Sequence, residues 1–168
     1  MSVKTNSFCA AVFGVDNGSC DTVMVLRADT QSKEIKLSHI DDTQSQIQCA
    51  FQSGQEMFAL AVLNSSCGLN IEHYAVINFD DLSKIYDIVG EPHLPNVSLS
   101  AQCIKDEKQL RAVLNAIYKK AVKLPPYQYP KIIKECLSLC KTNLKAGDVA
   151  PLLPLLLKHP KLVWENSL

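Results

Sequence analysis

The segment from Ile71 to Gly90 constrains the fold more than any other part of this chain. His73 to Phe79 is a β-rich run, His-Tyr-Ala-Val-Ile-Asn-Phe, and Leu82 to Val89 follows with an apolar stripe at Leu82, Ile85, Tyr86 and Val89. Asp80 or Asp81 is placed to cap that helix and Gly90 to end it. Just upstream, Met57, Leu60, Ala61 and Asn64 keep a helical period, with Gly68 as a left-handed cap. A strand flanked in sequence by helices buries its faces under them, so the unit predicts an α/β sheet and excludes all-α and all-β folds.

The first third of the chain reads as strands. Phe8 to Val15 is an apolar run that leads into the turn signal Asp16-Asn17-Gly18. Thr22 to Ala28 is a second run, and Glu34 to Ile40 alternates, with Ile35, Leu37 and His39 on one face. Asp41 to Ser53 is polar and reads mostly as a loop, with Ile47, Ala50 and Phe51 able to form a short helical turn. Glu91 to Ser100, with Pro92 and Pro95, is a connector, and helices are expected from there to the end. These are Asp106 to Ala121, Pro130 to about Cys140, and a last apolar segment, Leu152 to Leu157. Trp164, with Leu162 and Val163, reads as a docking side chain of the tail.

At 168 residues and 47% hydrophobic, the chain suits one domain spanning 1–168. Lysine plus arginine equal aspartate plus glutamate at 17 each, so no net field draws it to nucleic acid or an anionic membrane. No apolar run approaches the ~20 residues of a spanning helix, and as given the chain is expected to be soluble. Seven cysteines exclude complete internal pairing. Cys136 and Cys140 share a helix face, where they either hold a metal or pack as small hydrophobes, and no histidine lies at ligand spacing.

Asp16 and Asp21 flank the first inter-strand turn, close enough to share a hard cation such as magnesium. Asp41, Asp42 and Thr43 follow the third strand and converge on the same rim if that strand exits there. The competing reading is that aspartate sits in turns for its own backbone hydrogen bonds. The four histidines, His39, His73, His93 and His159, show no paired spacing.

The order of residues adds a resemblance. Asn6 to Asp16, Cys20 to Val25 and Lys36 to Thr43 resemble the opening of the LytR-CpsA-Psr domain. Gly68 to Phe79 followed by Lys84 to Gly90 is similar to that family's most characteristic strand-helix stretch, and Thr142-Asn143-Leu144 to its ending. The resemblance implies a three-layer α/β/α sandwich with a central mixed sheet and a helical C-terminal third. It also implies a domain outside the cytoplasmic membrane on an N-terminal anchor, which binds a polyprenyl-phosphate-linked glycan and transfers it to peptidoglycan. On the matching positions it implies Asp16 and Asp21 as Mg2+ ligands; Asp42 and Arg111 are the candidate catalytic residues, and Lys105 and Lys108 the candidate phosphate-binding residues, that this sequence retains.

The departures point another way. Asn17 to Cys20 replace a longer turn with its arginine, Asp41 stands where an arginine is expected, and Glu91 to Lys105 replace an arginine-rich segment. The expectation is therefore a lipid-binding domain with weak or lost transferase activity. The alternatives are an active magnesium-dependent phosphotransferase using Lys105, Lys108, Arg111 or Arg27, and a protein-interaction module. A strand beginning almost at Met1 leaves two expectations, a chain trimmed of its anchor or a copy without one, and favours the first.

Overall fold

A computed structural model describes residues 7–41, 44–54, 56–90 and 106–166. Strands β1 (Ser7–Asp16), β2 (Ser19–Asp29) and β3 (Glu34–His39) are consecutive antiparallel neighbours. Asn17 and Gly18 join the first two at φ 50° and 80°, the left-handed pair that a tight hairpin demands. Helices α1 (Gln44–Gln52) and α2 (Glu56–Cys67) follow, then β4 (His73–Asn78) and α3 (Phe79–Ile88). The remainder holds α4 (Glu107–Ala121), α5 (Tyr129–Leu139), β5 (Lys141–Thr142), the short α6 (Ala146–Val149) and α7 (Leu153–Leu156), and β6 (Lys161–Glu165).

The six strands form one mixed sheet in the order β5-β4-β1-β2-β3-β6. β4 and β1 are parallel, as are β3 and β6, while β2 and β5 run against their neighbours, so β1, β3, β4 and β6 all end on one rim. Strand alternation divides the core between two faces. Phe13, Val23 and Val25 pack under Ile47 and Ala50 of α1 and Ala59 and Leu63 of α2, with Phe13 and Phe51 rings 5.4 Å apart. On the other face Met24 packs with Leu82 of α3 and with Leu110 and Val113 of α4. This is the expected α/β/α sandwich.

Three readings change, and a fourth lies outside the described residues. The polar stretch after Asp41 is largely helix α1, because Ile47 and Ala50, about one turn apart, are both buried against the sheet. Asn78, not Asp80 or Asp81, caps α3: its Oδ1 accepts from the Asp81 N–H (2.7 Å) and Asp81 Oδ2 accepts from the Asn78 N–H (3.4 Å). The C-terminal third is not helical throughout. β5 joins β4, where Asn143 Oδ1 accepts from the Tyr74 N–H (2.9 Å), and β6 pairs with β3, so Trp164 docks the chain's end against the core, as expected, from a strand. The expected connector, residues 91–105, lies outside the described residues.

Candidate functional site

The rim where the parallel strands end collects the acids. Asp16 closes β1 opposite Ser19, and Asp21 sits on β2 where the register shifts beside Val15, a bulge at the base of the hairpin tip. The short Asn17-Gly18 turn therefore holds both carboxylates at one end of one hairpin. Magnesium keeps several waters and is often held by one or two carboxylates plus substrate phosphates, so this donor set fits that ion. Among the described residues no group of three or more His, Cys, Asp and Glu could hold a metal. Asp42 and Lys105 lie outside the described residues.

The cations are placed differently. Lys108 is exposed on the first turn of α4, where its backbone N–H donates to Asp106 Oδ1 (2.9 Å). Arg111 is half-buried, pairs through Nη2 with Glu107, and lays its guanidinium carbon 4.9 Å from the centre of the Trp164 ring. Trp164 is opposite Leu37, which is opposite Leu26, and Leu26 lies five residues along β2 from Asp21, roughly 16 Å at the rise of a strand. Arg111 is thus occupied by a partner acid and an aromatic face at a lower level of the sheet. Arg27 is one residue farther still, paired opposite Cys9 and Lys36, and is not brought to the rim.

His39, read from the sequence only as a residue on the Leu37 face, stands opposite Met24, between that level and the rim, and the Ile40 N–H that follows donates to the Val23 carbonyl (3.0 Å), which brings Asp41 toward the rim. Its Nδ1 is 2.8 Å from Asp41 Oδ1 and 3.9 Å from Glu107 Oε2. Asp41, at the position where a phosphate-binding arginine was expected, therefore faces an imidazole. The i, i+4 spacing of Glu107 and Arg111 was the available signal for their pairing.

Behind the rim lies an apolar cavity of about 160 Å³, between the sheet and helices α3 and α4. Val12, Met24, Leu37, Ile77, Leu82, Leu110 and Leu114 line it, with Gly14 leaving space in β1 and Thr22 giving the one hydroxyl among the lining residues. The pocket is partly open to solvent and its walls are aliphatic, so it offers an apolar guest a place to bury its surface.

Among the described residues the thiols form no reactive centre. Burial pushes Cys20 up to about 12, its hydrogen bond to the Thr22 carbonyl only partly opposing this. Burial, then the charge of Asp81, pushes Cys140 up to about 11, and burial also raises Cys136 and Cys9. Iodoacetamide at pH 7.5, a mildly basic condition far below those values, is expected to label exposed Cys49 first among the described cysteines and leave Cys20 and Cys140 unlabelled until urea is added. Peptide mass mapping reads the order; native labelling of Cys20 would contradict it.

No family model and no curated protein matches the sequence. Solved structures do match. Bacillus subtilis TagV is similar with TM-score 0.75 at 14% identity, covering 98% of this chain and 85% of that one. A Streptococcus agalactiae protein gives 0.76 at 15%, covering 97% and 77%. TagT, solved bound to LIIa-WTA, gives 0.71 at 12%, covering 96% and 78%. At these identities the likeness shows the fold: this chain shares the architecture of TagV and TagT, as its resemblance to the LytR-CpsA-Psr domain implies.

Proposed function

We propose that this domain binds a polyprenyl-phosphate-linked glycan or a related lipid, with glycopolymer phosphotransferase activity weak or lost. The observation that carries the reading is the aliphatic cavity between the sheet and α3 and α4. Its walls match a branched hydrocarbon, and the structural neighbour solved with LIIa-WTA supports a lipid-linked glycan as the class of ligand. Cell-envelope localisation, an anchor and peptidoglycan as acceptor belong to the same proposal.

In this reading the first units of the hydrocarbon enter between Leu82 and Leu114 and exclude water, and the phosphate head lies toward the acidic rim. Asp16 and Asp21 would hold Mg2+, which when bound would offset phosphate charge. The chain's own residues supply little more. A carboxylate and a phosphate oxygen 4 Å apart repel by about 4 kcal/mol at an effective dielectric of ~20. Bidentate guanidinium pairing is the usual answer, and Arg111 is committed to Glu107 and Trp164.

The test uses the purified chain with a short-chain polyprenyl phosphate and, separately, a polyprenyl-pyrophosphate-linked glycan with Mg2+. Saturable lipid binding without phosphate release is the expected result. Sustained turnover that Asp21→Ala reduces by about 100-fold or more, the scale of losing a charge-stabilising group, would establish the active phosphotransferase instead. That second reading has one observation in its favour, the shared hairpin end of Asp16 and Asp21.

A further inference from the structure

The sheet has two unlike edges. β5 is two residues long, while β6 runs for five residues with no proline and no bulge. Sheet edges present unpaired N–H and C=O groups, and natural folds blunt them by shortening, bulging, proline, charged side chains or a covering segment. One edge of this sheet is blunted by shortness; among the described residues β6 is neither shortened, bulged nor broken by proline, and its two charges, Lys161 and Glu165, are of opposite sign, so they suit an antiparallel copy of the same strand.

The backbone of β6 has a defined direction. The Lys161 N–H donates to the carbonyl of Lys33 (3.0 Å), so Lys161, Val163 and Glu165 turn their backbone groups toward β3. Alternation then turns those of Leu162 and Trp164 outward. We propose that β6 pairs antiparallel with β6 of a second copy of this chain, in a register centred on Val163.

That register is the one the strand's own pattern selects. Leu162 opposes the partner's Trp164, and both have outward backbone groups, so the two symmetric positions each form a reciprocal pair of hydrogen bonds. Val163 opposes the partner's Val163, a β-branched contact. Lys161 opposes the partner's Glu165, and Glu165 opposes the partner's Lys161. Within one copy Lys161 already stands opposite Glu34, and Glu165 lies 3.2 Å from Lys36, so the pairing extends a row of alternating charge across the edge. A slip of one residue would oppose outward to inward groups and lose the ladder. The sequence Lys-Leu-Val-Trp-Glu is self-complementary in charge, in side-chain type and in hydrogen-bond parity at once. The proposal is independent of the lipid-binding reading.

Sedimentation equilibrium of the full chain tests it. A short strand-to-strand contact is expected to give a weak dimer, with Kd on the order of 10–100 µM. Leu162→Pro removes an outward donor and no bond to β3, so it is expected to give a monomer up to about 100 µM with an unchanged melting temperature. Lys161→Glu, which sets like charges opposite each other twice, is expected to raise Kd about tenfold. A wild-type chain that stays monomeric over that range overturns the proposal, and so does a folded Leu162→Pro chain that still dimerises. If Leu162→Pro does not fold, amide exchange on the native chain decides: the Leu162 and Trp164 amides must slow as concentration rises, and concentration-independent rates overturn the pairing.

Discussion

Leu114→Trp is expected to remove polyprenyl phosphate binding while leaving the chain folded. Leu114 is half-buried on α4 and lines the apolar cavity, so an indole there occupies the space offered to the hydrocarbon. The cavity holds about one five-carbon unit, and at ~0.8 kcal/mol per buried methylene its loss removes about 4 kcal/mol, near a thousandfold in affinity. Overpacking costs about 1–3 kcal/mol of stability, within the 5–15 kcal/mol typical of a domain. Calorimetric titration with a short-chain polyprenyl phosphate reads the first effect and thermal unfolding the second. Met57→Trp is the control, because Met57 is exposed on α2, which packs on the opposite face of the sheet. Tight lipid binding by folded Leu114→Trp would show that the cavity is not the lipid site.

A large loss of stability is expected from Trp164→Ala. Trp164 packs against the α4 side of the core, carries the Arg111 guanidinium on its ring, and donates from Nε1 to Asn115 Oδ1 (2.9 Å). Truncation leaves a cavity and an unpaired amide oxygen, for about 3–5 kcal/mol, or roughly 6–20 °C in melting temperature at this size. Trp164→Phe keeps the ring and is expected to recover more than half. Urea unfolding followed by circular dichroism is the measurement, since the chain has one tryptophan and the variant loses that fluorophore. A loss below about 1 kcal/mol would place Trp164 among residues that merely cover the surface.

Acid should loosen the same strand. The Lys36 ammonium beside Glu165 holds its carboxyl below the usual range, against partial burial, and the Ser38 hydroxyl, donating at 3.1 Å, adds to the effect. A carboxylate with a lowered folded-state pKa contributes stability that is present above its ordinary value, about 4.3, and is lost as pH falls through the folded value. The fluorescence of Trp164 should therefore shift as pH falls below about 4.

What could be read in the sequence was local. Gly68 and Gly90 end α2 and α3 at φ 62° and 91°, because only glycine takes that conformation without strain, and neither needs a distant partner to be recognised. The hairpin that sets Asp16 and Asp21 at one end is equally local, since Asn17-Gly18 fixes the turn and the turn fixes the register. The strand-helix unit from Ile71 to Gly90 was legible because its period changes from two to nearly four within a few residues.

What the sequence left open depended on residues far apart in the chain. α1 is a helix because the sheet offers Ile47 and Ala50 a buried face; alone, a glutamine- and serine-rich stretch has no such preference. β6 is a strand because β3 accepts it, and Ser38 and Glu165, hydrogen-bonded at 3.1 Å, are 127 residues apart. No local pattern showed that Arg111 would be held by Trp164, or that Asp41 would face His39. The cavity is the clearest case: it is a volume left between layers, set by how α3 and α4 settle on the sheet rather than by any one residue. The sequence determined the turns, the caps and the α/β alternation, because those are settled by φ preference and hydrophobic period within a few residues. Tertiary packing decided which side chains meet and where space remains, because burial and pairing act between segments that only the fold brings together.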